Sequence, residues 1–97
     1  MTCTTATIWD ISIKRKYDDH SVRYYWSGCQ LGNFPDEHGN FGYEKSLVAA
    51  IMRACVDVAP GDGLSLYYNG SHVRDLTSLG AVDAERAQTL AEILTGK

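Results

Sequence analysis

Apolar and polar positions alternate between Thr5 and Tyr17, where Trp9, Ile11 and Ile13 are separated by Asp10, Ser12 and Lys14. A period of two is the signature of a strand with one buried face. The short polar side chains of Asp18 to Ser21 suit a turn. Val22 to Cys29 is rich in aromatic residues, which favour strands. Together the two segments predict a long antiparallel hairpin. The glycines and proline of Gln30 to Gly42 read as a surface loop. Connections of that length in small domains commonly carry function.

The period changes at Tyr43. Leu47, Ala50, Ile51, Ala54 and Val58 recur at spacings of three and four, which predicts a helix over Tyr43 to Val58. The proline and glycines of Ala59 to Gly63 stop it. Leu64 to Tyr68 is a second strand region, with Leu64, Leu66 and Tyr68 on one side. Asn69-Gly70 follows, and both residues tolerate positive φ, so "LSLYY" pairs with "SHVRDL" through a tight turn. A last helix runs from Asp83, its N-cap, to Leu94, with Ala87, Leu90, Ala91 and Leu94 buried and Gly96 as the stop. The expected fold is therefore α+β, in the order ββαββα. It has about four strands in a largely antiparallel sheet, with two helices packed on it. No linker divides residues 1–97, so a single domain is expected.

Composition narrows the function classes. No apolar run reaches the length of a membrane span. The N-terminus shows neither the basic nor the apolar region of a signal peptide, so a cytoplasmic protein is expected. Cys3, Cys29 and Cys55 stand far apart with no CxxC pair, which predicts free thiols in a reducing compartment. The net charge of −3 leaves no basic footprint and argues against direct nucleic-acid binding, while permitting attraction to a basic partner.

The stretch "KSLVAAIMRACVDVAPGDGLSLYYNGSHVRDLTS" resembles the helix-to-strand segment of the ribonuclease H family, and "ATIWDIS" is similar to that family's first strand. The resemblance covers about a third of the chain. It implies a truncated ββ-α-β-α alternative, in which a helix rather than a hairpin follows Tyr68. It also implies a set of four metal-binding carboxylates. Asp10 would stand at the first position, but the helix acid would fall at Ser46 and the strand acid at Asn69 or Gly70. Asp83 would stand near the last position. Two-metal chemistry needs carboxylates to clamp both ions, so the resemblance implies a degenerate module that has lost its catalysis.

No other chemistry comes forward. His20, His38 and His72 lie in or beside turns, and Asp36-Glu37-His38 reads as a solvated cluster in a glycine-rich loop. No metal, no cofactor and no catalytic residue is expected. The aromatic residues are more informative. Tyr24, Tyr25 and Trp26 are consecutive, so both faces of that strand carry rings, and Tyr67 and Tyr68 repeat the pattern. An outward Tyr25 and Tyr67, flanked by Asp10, Asp18, Asp19, Asp36 and Glu37, forms an acidic and aromatic binding surface. The expected function is a small non-enzymatic binding protein. By analogy of size and charge with anti-CRISPR proteins, it would inhibit a nucleic-acid-processing complex by meeting its basic surface. The expected partner is a protein or protein–nucleic-acid complex, not a membrane, and a homodimer through an edge strand is compatible. The alternatives are the degenerate ribonuclease H-like module binding nucleic acid directly and a metal-dependent nuclease.

Overall fold

The computed structural model describes residues 7–30 and 40–96. Five strands and two helices follow one another in the order βββαββα: β1 (Ile8–Asp18), β2 (Ser21–Gln30), β3 (Asn40–Glu44), α1 (Leu47–Ala54), β4 (Gly63–Tyr68), β5 (Ser71–Thr77) and α2 (Ala84–Thr95). They form one sheet with the strand order β3-β2-β1-β4-β5.

The α+β class and the two helices are as expected. The strand number and sense are corrected. The sheet has five strands, and it is mixed because β1 runs parallel to β4. The extra strand, β3, lies where the sequence suggests the end of a loop and the start of a helix. Its glycine-rich composition hides a short alternation, Phe41 and Tyr43 to one side and Gly42 to the other. Pairing with β2 (Tyr25 opposite Tyr43, Ser27 opposite Phe41) outweighs the local composition. The helix consequently begins later. Ser46, in extended conformation, caps α1 by accepting a hydrogen bond from the Ala49 amide at 3.3 Å. Val58 still reaches the core, but from the loop after α1 rather than from the helix.

Both tight turns are built as the sequence suggests. Asn69 and Gly70 take φ of 51° and 85°, and Asp19 and His20 take 48° and 64°, so each hairpin closes on two left-handed residues. The helix that the truncated alternative places after Tyr68 is therefore replaced by β5. Asn69 does more than turn the chain. Its amide donates to the Ile13 carbonyl at 2.8 Å, and its side-chain oxygen accepts from the Arg15 amide at 2.9 Å, which ties the turn to β1. A bulge at Leu66/Tyr67 gives β5 one extra residue, Val73.

One face of the sheet carries the core. Trp9, Ile11 and Ile13 of β1 and Leu64 and Leu66 of β4 meet Ala50, Ile51 and Ala54 of α1 and Ala87, Leu90, Ala91 and Leu94 of α2. Gly28 on β2 lets α1 approach. A Cβ there would overlap the Ala54 carbonyl oxygen and stand 2.9 Å from its carbon.

The loop between α1 and β4 is fastened by Asp62. Its Oδ2 accepts from the Trp9 indole at 3.0 Å and from the Ala59 amide at 2.9 Å. The Ala59 amide first, then the Trp9 indole, holds the Asp62 carboxyl below its ordinary value against the opposing effect of burial. A carboxylate whose folded pKa is depressed contributes stability above its unfolded value, near 4, and loses that contribution as pH falls through the folded value. Asp62→Asn is therefore expected to flatten the loss of stability in acid below about pH 4, read as unfolding midpoints at stepped pH. An acid slope identical to that of the unsubstituted protein would exclude this role for Asp62.

Candidate functional site

The strand alternation that sends Trp9, Ile11 and Ile13 toward the helices sends Asp10, Ser12, Lys14 and Lys16 to the other face. Among the described residues no helix or strand covers that second face. Register places its side chains in rows. Tyr43, Tyr25 and Lys14 form one row, and Phe41, Ser27, Ser12 and Tyr67 form the next. Cys29, Asp10, Ser65 and Asp75 form a third.

The face has two chemically different ends. At the β2–β3 end, Tyr25 and Tyr43 stand 5.6 Å apart, centroid to centroid, with their planes tilted by 44°. The Lys16 ammonium lies 5.4 Å from the Tyr25 centroid, and the Arg23 guanidinium carbon lies 4.8 Å from the Tyr43 centroid. Phe41 and Tyr43 are 64% and 49% exposed, which is high for aromatic rings in a strand. A shallow cleft of 390 Å³ runs between these rings, with Ser12, Lys14 and Ser27 along its floor and wall.

At the β4–β5 end the groups are acidic and polar. Asp75 accepts from the Ser65 hydroxyl at 2.6 Å and pairs with His72 Nε2 at 2.7 Å. The Ser65 hydroxyl first, then His72, holds the Asp75 carboxyl below its ordinary value. Burial first, and then the negative charge of Asp75, pushes the Asp10 carboxyl up. The Tyr67 ring meets His72 edge-on at 5.3 Å. Serine, histidine and aspartate are thus close together, but in the wrong order for nucleophilic catalysis. The serine and the histidine both bind the carboxylate, whereas a triad needs the histidine against the serine.

No known family model, curated protein or solved structure matches the chain. The site's own geometry therefore carries the functional reading.

Among the described residues no three histidine, cysteine, aspartate or glutamate side chains are grouped so as to hold a metal ion. The two thiols among the described residues, Cys29 and Cys55, are buried and poor nucleophiles at neutral pH. Burial pushes Cys55 up to about 12, and burial followed by the charge of Asp10 pushes Cys29 up as well. No helix among the described residues is long and apolar enough to cross a membrane.

Of the residues singled out in the sequence, Asp10, Tyr25 and Tyr67 all lie on the open face. Tyr25 and Tyr67 do not touch, because Ser12 and Lys14 of β1 stand between them. Asp18 and Asp19 lie at the tip of the β1–β2 hairpin, each 3.6 Å from the Arg23 guanidinium. Asp36 and Glu37 lie outside the described residues. The groups that sequence reasoning missed are Tyr43, Lys14, Lys16 and Arg23. Pairing of β2 with β3 and β1 collects them around Tyr25. The two-residue spacing of Phe41 and Tyr43 was the available signal for the first.

Proposed function

We propose that this chain is a small, non-enzymatic binding protein whose working surface is the open sheet face and whose setting is a nucleic-acid-processing complex. The observation that carries this reading is a sheet with both helices on one side and exposed aromatic rings with neighbouring cations on the other. Exposed apolar surface costs free energy in a monomer, and grouped rings are the usual anchors of a binding interface. The arrangement of Ser65, Asp75 and His72, with no histidine-activated serine, supports binding rather than turnover. An inhibitory role fits the same surface, because covering a nucleic-acid path requires breadth and anchoring rather than reactive groups.

The reading is tested by affinity capture from the cells that carry the protein, with a Phe41→Ser, Tyr25→Ser, Tyr43→Ser triple variant alongside. Circular dichroism should show the triple variant folded, since its rings lie outside the helix-covered core. Partners held by the unsubstituted chain should be lost, with affinity reduced about thirtyfold or more, the equivalent of one interface hot spot. Equal capture by both chains would move the working surface elsewhere.

A direct nucleic-acid ligand is the second reading. It is favoured by one specific observation: the side chains beside the rings are Lys14, Lys16 and Arg23.

A further inference from the structure

Resting on that reading of the open face, we infer that its β2–β3 end is a platform for single-stranded nucleic acid, with bases stacked on Phe41, Tyr43 and Tyr25 and phosphates held by Lys14, Lys16 and Arg23. Three features converge on this ligand. The first is ring placement. Phe41 and Tyr43 project from β3, the edge strand, so a linear polymer can enter from the side without threading. Their exposure leaves ring surface available to stack, and any base offers a π-face to an aromatic side chain.

The second feature is the sign of the neighbouring charge. Among the described residues no carboxylate lies within ion-pair reach of Lys14 or Lys16. Both project to the open face of β1, two residues and therefore about 7 Å apart. Arg23 stands beside Lys16 across the ladder. Asp18 and Asp19 offset part of the Arg23 charge and leave the two lysines untouched. A basic protein surface would be repelled here, whereas a phosphate chain would release counterions on contact. At this end, among the described residues, Lys14, Lys16 and Arg23 stand against the carboxylates of Asp18 and Asp19 alone, because Asp10 and Asp75 lie at the far end of the face.

The third feature is shape. The cleft is shallow and opens onto a sheet, with the hydroxyls of Ser12 and Ser27 inside it to meet base edges. Bases reach such rings only when unpaired and splayed, so a duplex is a poor fit. Asp10 and Asp75 bound the site on the far side, since phosphates would be repelled there. The footprint is therefore a few nucleotides, lying across β3 and β2 and ending near Ser12.

The test is fluorescence anisotropy with labelled single-stranded RNA and DNA of roughly ten nucleotides, a duplex of equal length, and inorganic polyphosphate as competitor. Single strands should bind and the duplex should bind more weakly. Affinity should fall with salt at a log–log slope of about −2, for three phosphates contacted on a single strand. Phe41→Ala and Tyr43→Ala should each weaken binding about tenfold or more, while Tyr43→Phe should hold it. Lys16→Gln should reduce the salt slope by about 0.7. The inference is overturned if oligonucleotides fail to bind at low salt, if the ring variants bind as the unsubstituted chain does, or if polyphosphate or duplex competes as well as single strands. If oligonucleotides fail while the triple ring variant still loses captured proteins, the ligand is a protein and only this inference falls. If capture is also unaffected, the open face is not the working surface.

Discussion

Gly28→Ala is expected to cost about 3 kcal/mol of stability, near the upper end for overpacking. Gly28 lies on β2 with Ile11 of β1 on one side, directly beneath the C-terminal end of α1. The added methyl would overlap the carbonyl oxygen of Ala54 and crowd its carbon at 2.9 Å. A flexible side chain could move aside, but this is backbone at the end of a helix. Relief requires α1 to lift, and lifting α1 uncovers Ala50, Ile51 and Ala54. In a domain of this size about 3 kcal/mol corresponds to a fall of roughly 10–20 °C in the thermal midpoint. Ala54→Gly should not rescue the variant, because the obstruction is the carbonyl and not the methyl of Ala54. A midpoint within about 2 °C of the unsubstituted protein, a shift worth less than about 0.5 kcal/mol, would show that the helix yields easily.

The second large effect is expected at Leu66. It is fully buried, as is Ile11, its parallel partner across the β1–β4 ladder. Leu66→Ala leaves a cavity beneath two helices and is expected to cost about 2–5 kcal/mol by chemical denaturation. Ile11→Ala falls in the same range. The two side chains line the same space, so the double variant should cost measurably less than the sum of the singles. Strict additivity would mean that the two residues are packed in separate parts of the core.

What the sequence disclosed follows the reach of each signal. The β1–β2 hairpin, the Asn69-Gly70 turn and α2 rest on local chemistry: alternation, left-handed turn residues, and an Asp83 cap with Gly96 as its stop. Those were legible. The order of the sheet was not, because nothing in "ATIWDIS" states that β1 will be flanked on both sides, antiparallel by β2 and parallel by β4. That depends on α1 crossing over the sheet, and Trp9, Ile11 and Ile13 would read the same in an edge strand. The third strand was masked for a different reason. Asn40 to Glu44 has only five residues and a central glycine, and its conformation comes from its partner.

The candidate site was half legible for the same reason. Tyr25, Tyr67 and Asp10 announce themselves through strand parity. The charge around Tyr25 does not, because Lys14, Lys16 and Arg23 become its neighbours only once the strands are aligned. Among the described residues the charges beside Tyr25 are those of Lys14, Lys16 and Arg23, and Asp36 and Glu37 lie outside those residues. Asp18 and Asp19, the nearest acids in sequence, turn back on Arg23 at the hairpin tip.

The central position of β1 also sets the order in which the molecule can be completed. Its first partner follows it directly along the chain, so β1, β2 and β3 can pair as soon as they are synthesised. Its second partner is β4, with Ile8 opposite Gly63, and that contact closes one of the longest loops in the domain. Until then the far edge of β1 is an unpaired strand bearing Trp9, Ile11 and Ile13, the kind of surface that recruits other chains. The nascent protein is most vulnerable to aggregation in the interval between making its first hairpin and making β4, and the turn at Asn69, bonded to Ile13 and Arg15, is the latch that ends it.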